Sequence, residues 1–279
     1  MLREDLDRID AVPMLPEMVG KILTMMDDPN ISAVQLANVV SKDQSLVSSI
    51  LRIVNSAYYG LLWRITSVSQ AVVLLGFRTI RNLVLAATVM NSFGGRARAG
   101  SFNRGEHWRH SIACAAATAV LAKKWKSAPA DEAFLTGLVH DIGRVIMDQY
   151  FPEEFEEALV LADLEGKALL ETEMQIFGLT HAEIGRHVAR KWSFPDGIVN
   201  GIGDHHGPAT EGEWEALAAL VHVADVMVRR AGLALGQWQA DLSEDALRVL
   251  GHSEEDAEAL SEAFMEEYQR SNVFEDLIS

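Results

Sequence analysis

The sequence predicts an all-α protein. Apolar residues recur at intervals of three and four along most of the 279 residues, the spacing that places them on one face of a helix. No segment alternates apolar and polar residues as a half-buried strand does. Three pairs of residues have the spacing of a capping box, in which two side chains satisfy free backbone amides at a helix start: Ser32 with Gln35, Ser67 with Gln70, and Thr180 with Glu183.

The composition predicts a folded chain and argues against one class of partner. With 49% hydrophobic residues and only 7 prolines, the whole length can fold around a large core. The formal charge of -16 repels a phosphate backbone, so we do not expect nucleic acid as a partner. The single cysteine, Cys114, cannot form an internal disulfide, and a small buried apolar role suffices for it.

The distribution of charge predicts a cytoplasmic protein without a membrane span. Charged residues crowd positions 3–7, where an export signal needs an uninterrupted apolar stretch. The most apolar region, residues 71–90, is interrupted by Arg78 and Arg81, whereas a span needs about 20 nearly uncharged residues. We therefore expect this region to form buried helices.

Two packed helical lobes are predicted, at residues 1–97 and 98–240, followed by an acidic helical extension at 241–279 that packs on the body. The boundary falls in the glycine- and arginine-rich run 94–100, which we interpret as an exposed linker. The extension has one apolar face, formed by Leu247, Leu250, Leu260 and Phe264.

Histidines and aspartates carry the strongest chemical signal, because imidazoles and carboxylates are common ligands of divalent metals. They occur in largely apolar helical stretches, where an ionisable side chain without a partner is costly. Seven residues form this set: His110, His140, Asp141, His181, His205, His206 and Asp225. Four other histidines match no pattern and receive no role: His107, His187, His222 and His252.

Asp225 shows how each of these residues also has an ordinary structural explanation. Val221 and Val228 lie on its own helix face, so its carboxylate should point into the core. A buried carboxylate needs a cation, which is either a divalent metal or an arginine such as Arg109 or Arg144. From this residue alone, the arginine is the favoured partner.

The histidines leave a similar choice open. His140 and Asp141 end an apolar helix before Gly143, where glycine permits a tight turn, and a satisfied core histidine beside a cap is the ordinary interpretation. His181, in a first helical turn, has the setting of a surface histidine, and the doublet 205–206 has that of a solvated loop. Taken singly, each residue favours the ordinary interpretation.

The order of the seven residues resembles the HD superfamily of metal-dependent phosphohydrolases, in which a histidine, a His-Asp doublet and a distant aspartate hold a divalent metal. His110, the doublet 140–141 and Asp225 match those places. His181 and the doublet 205–206 match positions that contribute to a second metal in the HD-GYP branch, the cyclic di-GMP phosphodiesterases. The resemblance implies one or two divalent ions, iron or manganese rather than zinc or magnesium, on a scaffold that can also exist without bound metal.

The remaining motifs resemble the HDOD family, the HD-related output domains of bacterial signalling proteins. The Asn-Ser-Ala stretch within LRIVNSAYYG, residues 51–60, is the most specific of them. Further matches are the segments 15–16, 71–76, 108–111, 137–143 and 192–195, so the likeness covers roughly residues 10–230. The resemblance implies an all-α fold whose second lobe is an HD-like helical bundle.

Two departures from the HD-GYP branch argue against cyclic di-GMP hydrolysis. Arg144 stands where that branch has a lysine, and an arginine keeps the positive charge without the compact ammonium. No Gly-Tyr-Pro signature follows His206.

Two functions follow from the resemblance. The favoured one is a regulatory module that binds a ligand or other signalling proteins, of two-component or cyclic-nucleotide pathways, with a divalent-metal site in the HD cavity. The alternative is a metal-dependent phosphohydrolase, in which bound ions activate a water, Asp141 helps to orient it and Arg144 holds substrate phosphate. The sequence does not identify the oligomeric state.

Overall fold

The computed structural model of the protein describes residues 12, 14–26, 28, 30–94, 100, 102–207, 215–233 and 241–277. Across these ranges every regular element is a helix, which confirms the predicted all-α class. The first four helices are α1 (Glu17–Met26), α2 (Ala33–Val40), α3 (Gln44–Val54) and α4 (Val68–Phe93). The next eight are α5 (Arg104–Trp125), α6 (Ala130–Val139), α7 (Ile142–Tyr150), α8 (Pro152–Glu165), α9 (Leu169–Phe177), α10 (His181–Lys191), α11 (Asp196–Asp204) and α12 (Ala216–Arg230). The C-terminal elements are α13 (Glu244–Leu250), α14 (Glu254–Glu258), α15 (Ser261–Arg270) and a 3-10 helix (Ser271–Leu277).

The predicted capping residues start helices as expected, with one change of partner. The capping boxes at Ser32 and Thr180 are formed in both directions. The Ser67 hydroxyl accepts the amide N–H of Gln70 at 3.3 Å. The Gln70 side chain, however, accepts the amide N–H of Thr66 at 3.0 Å instead of that of Ser67.

Helix α4 is the apolar element that the sequence analysis expected to be buried. By length and composition alone it could cross a membrane, and 56% of its most apolar 18-residue window is buried inside the protein. Gly76 breaks it with φ 83° and ψ 162°, a conformation that side chains other than hydrogen disfavour. Beyond the break, Arg78 and Asn82 donate hydrogen bonds to Asp131 of α6, at 3.3 and 3.2 Å. These bonds join α4 to α6 beside the apolar contacts between the two helices.

The Asn-Ser-Ala motif closes the loop between α3 and α4. The Asn55 side chain donates to the carbonyl of Ile65 at 2.8 Å and accepts its N–H at 2.7 Å. Tyr58 then packs against Phe134 of α6 and Phe274 of the 3-10 helix, with ring centroids 4.9 and 5.8 Å apart. Residues 55–58 therefore connect the α3–α4 loop with α6 and with the 3-10 helix.

The largest apolar cluster is continuous across the two predicted lobes, running from Val12 through Leu85 and Phe134 to Phe274. A second cluster packs the alanines of α5 and α12 against the C-terminal helices, including Phe264. The predicted boundary at residue 97 lies in 95–99, outside the described residues. The division into lobes stays a prediction.

The acidic extension lies on this second cluster. Leu247, Leu250 and Phe264 are buried there, and Leu260 is half-buried beside them. Arg230, at the end of α12, pairs with Glu254 and Glu258 of the extension.

Helices α5 and α6 approach closely because their facing residues are small. A Cβ added at Gly137 of α6 would lie 2.7 Å from Thr118 Oγ1, 2.8 Å from the Cys114 carbonyl and 2.9 Å from Ala115 Cα. Real Cβ atoms do not approach other atoms so closely, so position 137 excludes any side chain. This contact sets the distance between the two helices.

Gly137→Ala is expected to lower the free energy of unfolding by about 1–3 kcal/mol, because the added methyl overpacks the α5–α6 contact. Gly20→Ala in α1 is the matched control, since its added Cβ meets nothing within 4 Å. Alanine should raise stability there by about 0.5–1 kcal/mol through helix propensity. Urea unfolding of both variants measures the difference, and equal effects would contradict the close-packing interpretation.

Candidate metal centre

All seven predicted ligand residues meet at one place, where six helices converge. Helix α5 supplies His110, and the α6–α7 junction supplies His140 and Asp141. The others come from the start of α10, the end of α11 and the middle of α12. Together with Cys114 they form two groups, and within each group the possible ligand atoms lie within 4.8 Å of one another. We call these groups site 1 (His110, Cys114, His140, Asp225) and site 2 (Asp141, His181, His205, His206).

The two sites adjoin through the doublet at the α6–α7 junction. His140 belongs to site 1 and Asp141 to site 2, yet His140 Nε2 lies 3.5 Å from Asp141 Oδ2. The rings of His140 and His205 are also in contact, with centroids 5.0 Å apart. The resemblance grouped Asp141 with His110, His140 and Asp225. In the structure, Asp141 belongs to site 2 and lies beside His140 of site 1.

Burial contradicts some of the ordinary interpretations. His181 is not a surface histidine and His205 is not in a solvated loop, because both are fully enclosed by the surrounding helices. His206 is half-buried. A buried ring nitrogen needs a partner, so the orientation of each imidazole carries information.

Three site histidines donate a ring N–H to a backbone carbonyl. The Nδ1 atoms of His110, His140 and His205 lie 3.1, 2.8 and 2.6 Å from the carbonyl oxygens of Leu233, Gly137 and Ile202. A carbonyl only accepts, so each Nδ1 carries a proton and each Nε2 is turned toward the centre. Burial lowers the pKa of His205 to about 4, which keeps that ring neutral.

His181 is held in the same way by a buried glutamate. Glu173 Oε2 accepts the Nδ1–H of His181 at 2.6 Å and its backbone N–H at 2.9 Å. His181 Nε2 then lies 3.0 Å from both Asp141 Oδ1 and His206 Nε2. Burial would lower the pKa of His181, but the carboxylates of Glu173 and Asp141 raise it above the ordinary value.

Glu173 was missed by the sequence analysis. It is completely buried in α9, between Leu169 and Phe177 on the same helix face. A carboxylate flanked at four residues on each side by large apolar residues was the available signal, because such a group must find a donor in the core.

Arginines neutralise both site carboxylates. The expected partner of Asp225, Arg109 or Arg144, is wrong: Arg229, one helical turn later in α12, places its Nε 2.9 Å from both carboxylate oxygens. Arg109 instead donates to the Gly105 carbonyl at 3.3 Å. Burial would raise the pKa of Asp225, but Arg229 and His110 hold it well below the ordinary value.

Asp141 has a comparable environment. Arg144 Nη1 donates to Asp141 Oδ2 at 2.6 Å, so the residue predicted to hold substrate phosphate is engaged with the neighbouring carboxylate. Burial would raise the pKa of Asp141, but Arg144, His140 and His181 hold it well below its usual range. Both carboxylates are therefore in the ionised form that binds metal.

Two buried nitrogens at the centre lack a hydrogen-bond partner. Nε2 of His140 and Nε2 of His205 are fully buried and receive no hydrogen bond. Their lone pairs face the other ligand-type atoms, which are 3.5 Å away at Asp141. A divalent cation in each site would satisfy the nitrogen that belongs to it, so the residues present fit a metal.

Gly143 brings helix α7 against the start of α10. A Cβ added at this position would lie 1.9 Å from the carbonyl oxygen of His181. Gly143 lies inside a regular helix and has no positive φ, so the expected tight turn is not the reason for glycine here. The close approach is what carries Asp141 to within reach of His181.

His222 also has a structural role that the sequence did not indicate. Its Nδ1 lies 3.0 Å from the His205 carbonyl, and its Nε2 accepts the N–H of Ser243 at 3.0 Å. His222 thus supports the backbone of a site residue. His252, by contrast, stacks on Trp125 with ring centroids 4.3 Å apart.

Solved structures share this fold. An HDOD domain protein of unknown function from Geobacter sulfurreducens matches with a TM-score of 0.80 and 25% identity, over 97% of this chain and 95% of that one. A provisionally assigned phosphohydrolase from Shewanella amazonensis SB2B matches with a TM-score of 0.78 and 22% identity, over 99% and 98%. A provisionally assigned signal transduction protein from Marinobacter aquaeolei VT8 gives 0.74 and 21%, over 99% and 65%.

An uncharacterized protein of Treponema pallidum is 28% identical over 230 residues. The match covers 80% of this chain, which spans 43% of the length of that relative.

The sequence model of the HDOD domain matches residues 12–208, which include the Asn-Ser-Ala motif and six of the seven predicted ligands. Only Asp225 lies beyond the match, and it reaches the same centre from α12. On this match, together with the shared fold, the chain belongs to the HDOD domain family.

Proposed function

We propose that the chain is a regulatory module of bacterial signal transduction whose buried centre binds divalent metal ions. One observation supports metal binding most directly. Four imidazoles donate their Nδ1–H to an oxygen acceptor, which directs each Nε2 into the centre: His110, His140, His181 and His205. Metal-binding histidines characteristically donate their other ring N–H to a carbonyl or carboxylate.

The arrangement favours regulation over catalysis. The side chains of His110, the 140–141 doublet, His181, His205 and Asp225 are at most 4% exposed. A catalytic metal keeps an open coordination position that substrate can reach. A groove of 950 Å³ lies elsewhere and is lined by residues between 48 and 66, none of them a predicted ligand. The buried centre is therefore better suited to hold a conformation than to admit a phosphoester.

The alternative function, a metal-dependent phosphohydrolase, is favoured by the presence of two adjoining sites that each contain a carboxylate. Two neighbouring divalent ions supply an activated water and neutralise phosphoryl oxygens. In that case Asp141 orients the water, and Arg144 must exchange its bond to Asp141 for a substrate phosphate. Two relatives from Shewanella amazonensis are provisionally named phosphohydrolases.

Organisation, location and partners form part of the same proposal. All seven predicted ligands fall between residues 98 and 240, which supports an HD-like second lobe that contains the centre. The partners are other signalling proteins of two-component or cyclic-nucleotide pathways, in keeping with the provisional name of the Marinobacter relative.

A single buried thiol suits the reducing cytoplasm. Iron or manganese suits site 2, with three imidazoles and one carboxylate.

Protein purified without a chelator is expected to contain divalent metal and, after loading with manganese or iron, to hydrolyse no phosphoester. Asp141→Asn should lower the metal content, because it removes the charged ligand of site 2. Elemental analysis and a phosphodiesterase assay measure both quantities. Asp245→Asn, at an exposed carboxylate of α13, is the control and should change neither. Turnover that Asp141→Asn abolishes would establish the phosphohydrolase instead.

Glu173→Gln is expected to weaken metal binding about 10- to 100-fold, because it removes the charge that fixes and polarises the His181 ring. Competition with a chelator measures the affinity, and the metal-induced rise in melting temperature gives an independent reading. Glu171→Gln, at an exposed position of the same helix, is the matched control. An unchanged affinity in Glu173→Gln would mean that His181 does not bind metal.

A further inference from the structure

We propose that site 1 is a thiolate metal site in which Cys114 joins His110, His140 and Asp225, so that it selects zinc over iron and manganese. This inference rests on the proposed function, because it concerns the same buried centre. It gives a chemical role to a cysteine that the sequence analysis treated as a small apolar residue.

The distances suit four-coordinate binding. Cys114 Sγ lies 3.5 Å from His110 Nε2 and 3.9 Å from Asp225 Oδ1. His110 Nε2 and Asp225 Oδ1 are 3.0 Å apart. Zinc bonds of about 2.0–2.3 Å in a tetrahedron place ligand atoms about 3.3–3.8 Å apart. All four atoms already lie within 4.8 Å of one another, so small side-chain rotations complete the geometry.

The position of the sulfur is fixed by the fold. His110 and Cys114 are four residues apart on one face of α5, where helical side chains are neighbours. Cys114 is completely buried, and its carbonyl lies against Gly137 of α6. Gly137 also supplies the carbonyl that holds the His140 ring. The α5–α6 contact therefore positions three ligands of site 1 together.

The fourth side of the site has an unsatisfied group. His140 Nε2 is completely buried, has no hydrogen-bond partner and belongs to the same group of ligand atoms. A thiol is a weak hydrogen-bonding partner, so the Cys114 thiol does not replace the hydrogen bond that His140 Nε2 lacks. An ion bound to both sulfur and nitrogen satisfies the two atoms together.

Charge balance favours a thiolate over a thiol. A divalent ion beside Arg229 would place three positive charges against the single negative charge of Asp225. The thiolate of Cys114 supplies a second negative charge and reduces this buried imbalance. As the metal–sulfur bond forms, the thiol proton passes to solvent, as it does whenever cysteine becomes a metal ligand.

The two sites consequently differ in chemical softness. Site 2 offers three imidazoles and one carboxylate but no sulfur. Thiolate favours zinc over iron and manganese, whereas nitrogen and oxygen ligands alone do not exclude the latter two. Zinc in site 1 beside iron or manganese in site 2 is the expected loading.

Titration of the metal-free full-length chain with cobalt(II) under anaerobic conditions tests this inference. We expect two equivalents to bind, and a sulfur-to-cobalt charge-transfer absorption to grow with one of them. Cys114→Ser should abolish that absorption and retain the other equivalent. Ser111→Ala, a similarly small change at a buried position of the same helix, is the control and should keep the absorption. Zinc should bleach the absorption of the wild-type protein, and an equal amount of manganese should not.

The possible failures are distinguishable. Two bound equivalents without charge-transfer absorption would overturn the thiolate site and leave the proposed metal centre standing. Bleaching by manganese as readily as by zinc would overturn the selectivity. Absence of any bound cobalt would overturn the metal centre and this inference together. The wild-type competition requires no variant, so misfolding of Cys114→Ser cannot obscure the result.

Discussion

The hydrogen bonds that fix the imidazole rings are the constraint on which the centre depends. Gly137 and Ile202 lie in the last turns of α6 and α11, where carbonyls have no partner within the helix. His140 and His205 each follow three residues later and donate to those carbonyls. One interaction thus ends a helix, selects the ring tautomer and directs Nε2 inward. The centre is organised by the same bonds that terminate the helices around it.

The arginines explain how such a centre folds without a bound cation. Arg229 and Arg144 neutralise Asp225 and Asp141, which would otherwise be unpaired charges in the core. Either carboxylate has further lone pairs, so a metal can join without removing the guanidinium. The two arginines therefore leave neither of these carboxylates unpaired in the core when no metal is bound.

Much of the fold and of the site could be predicted from the sequence, for reasons that differ between residues. Helical spacing and capping pairs identify the all-α class because they are local. The order of the ligands predicted which residues are brought together, although each residue alone favoured an ordinary explanation. Cys114, Glu173 and Arg229 were missed because their roles arise from contacts between helices, or from one pairing among several available arginines. Spacing along the chain does not specify such contacts.

Gly143 shows that the centre also depends on a residue that is not one of its predicted ligands. It binds nothing, yet any larger residue would collide with the backbone of His181 and push two helices apart. A sequence with every predicted ligand present but a larger residue at position 143 would contain the residues of the centre without bringing them together. In comparing relatives, the identity of this glycine is therefore as informative about the assembly of the centre as the predicted ligands themselves.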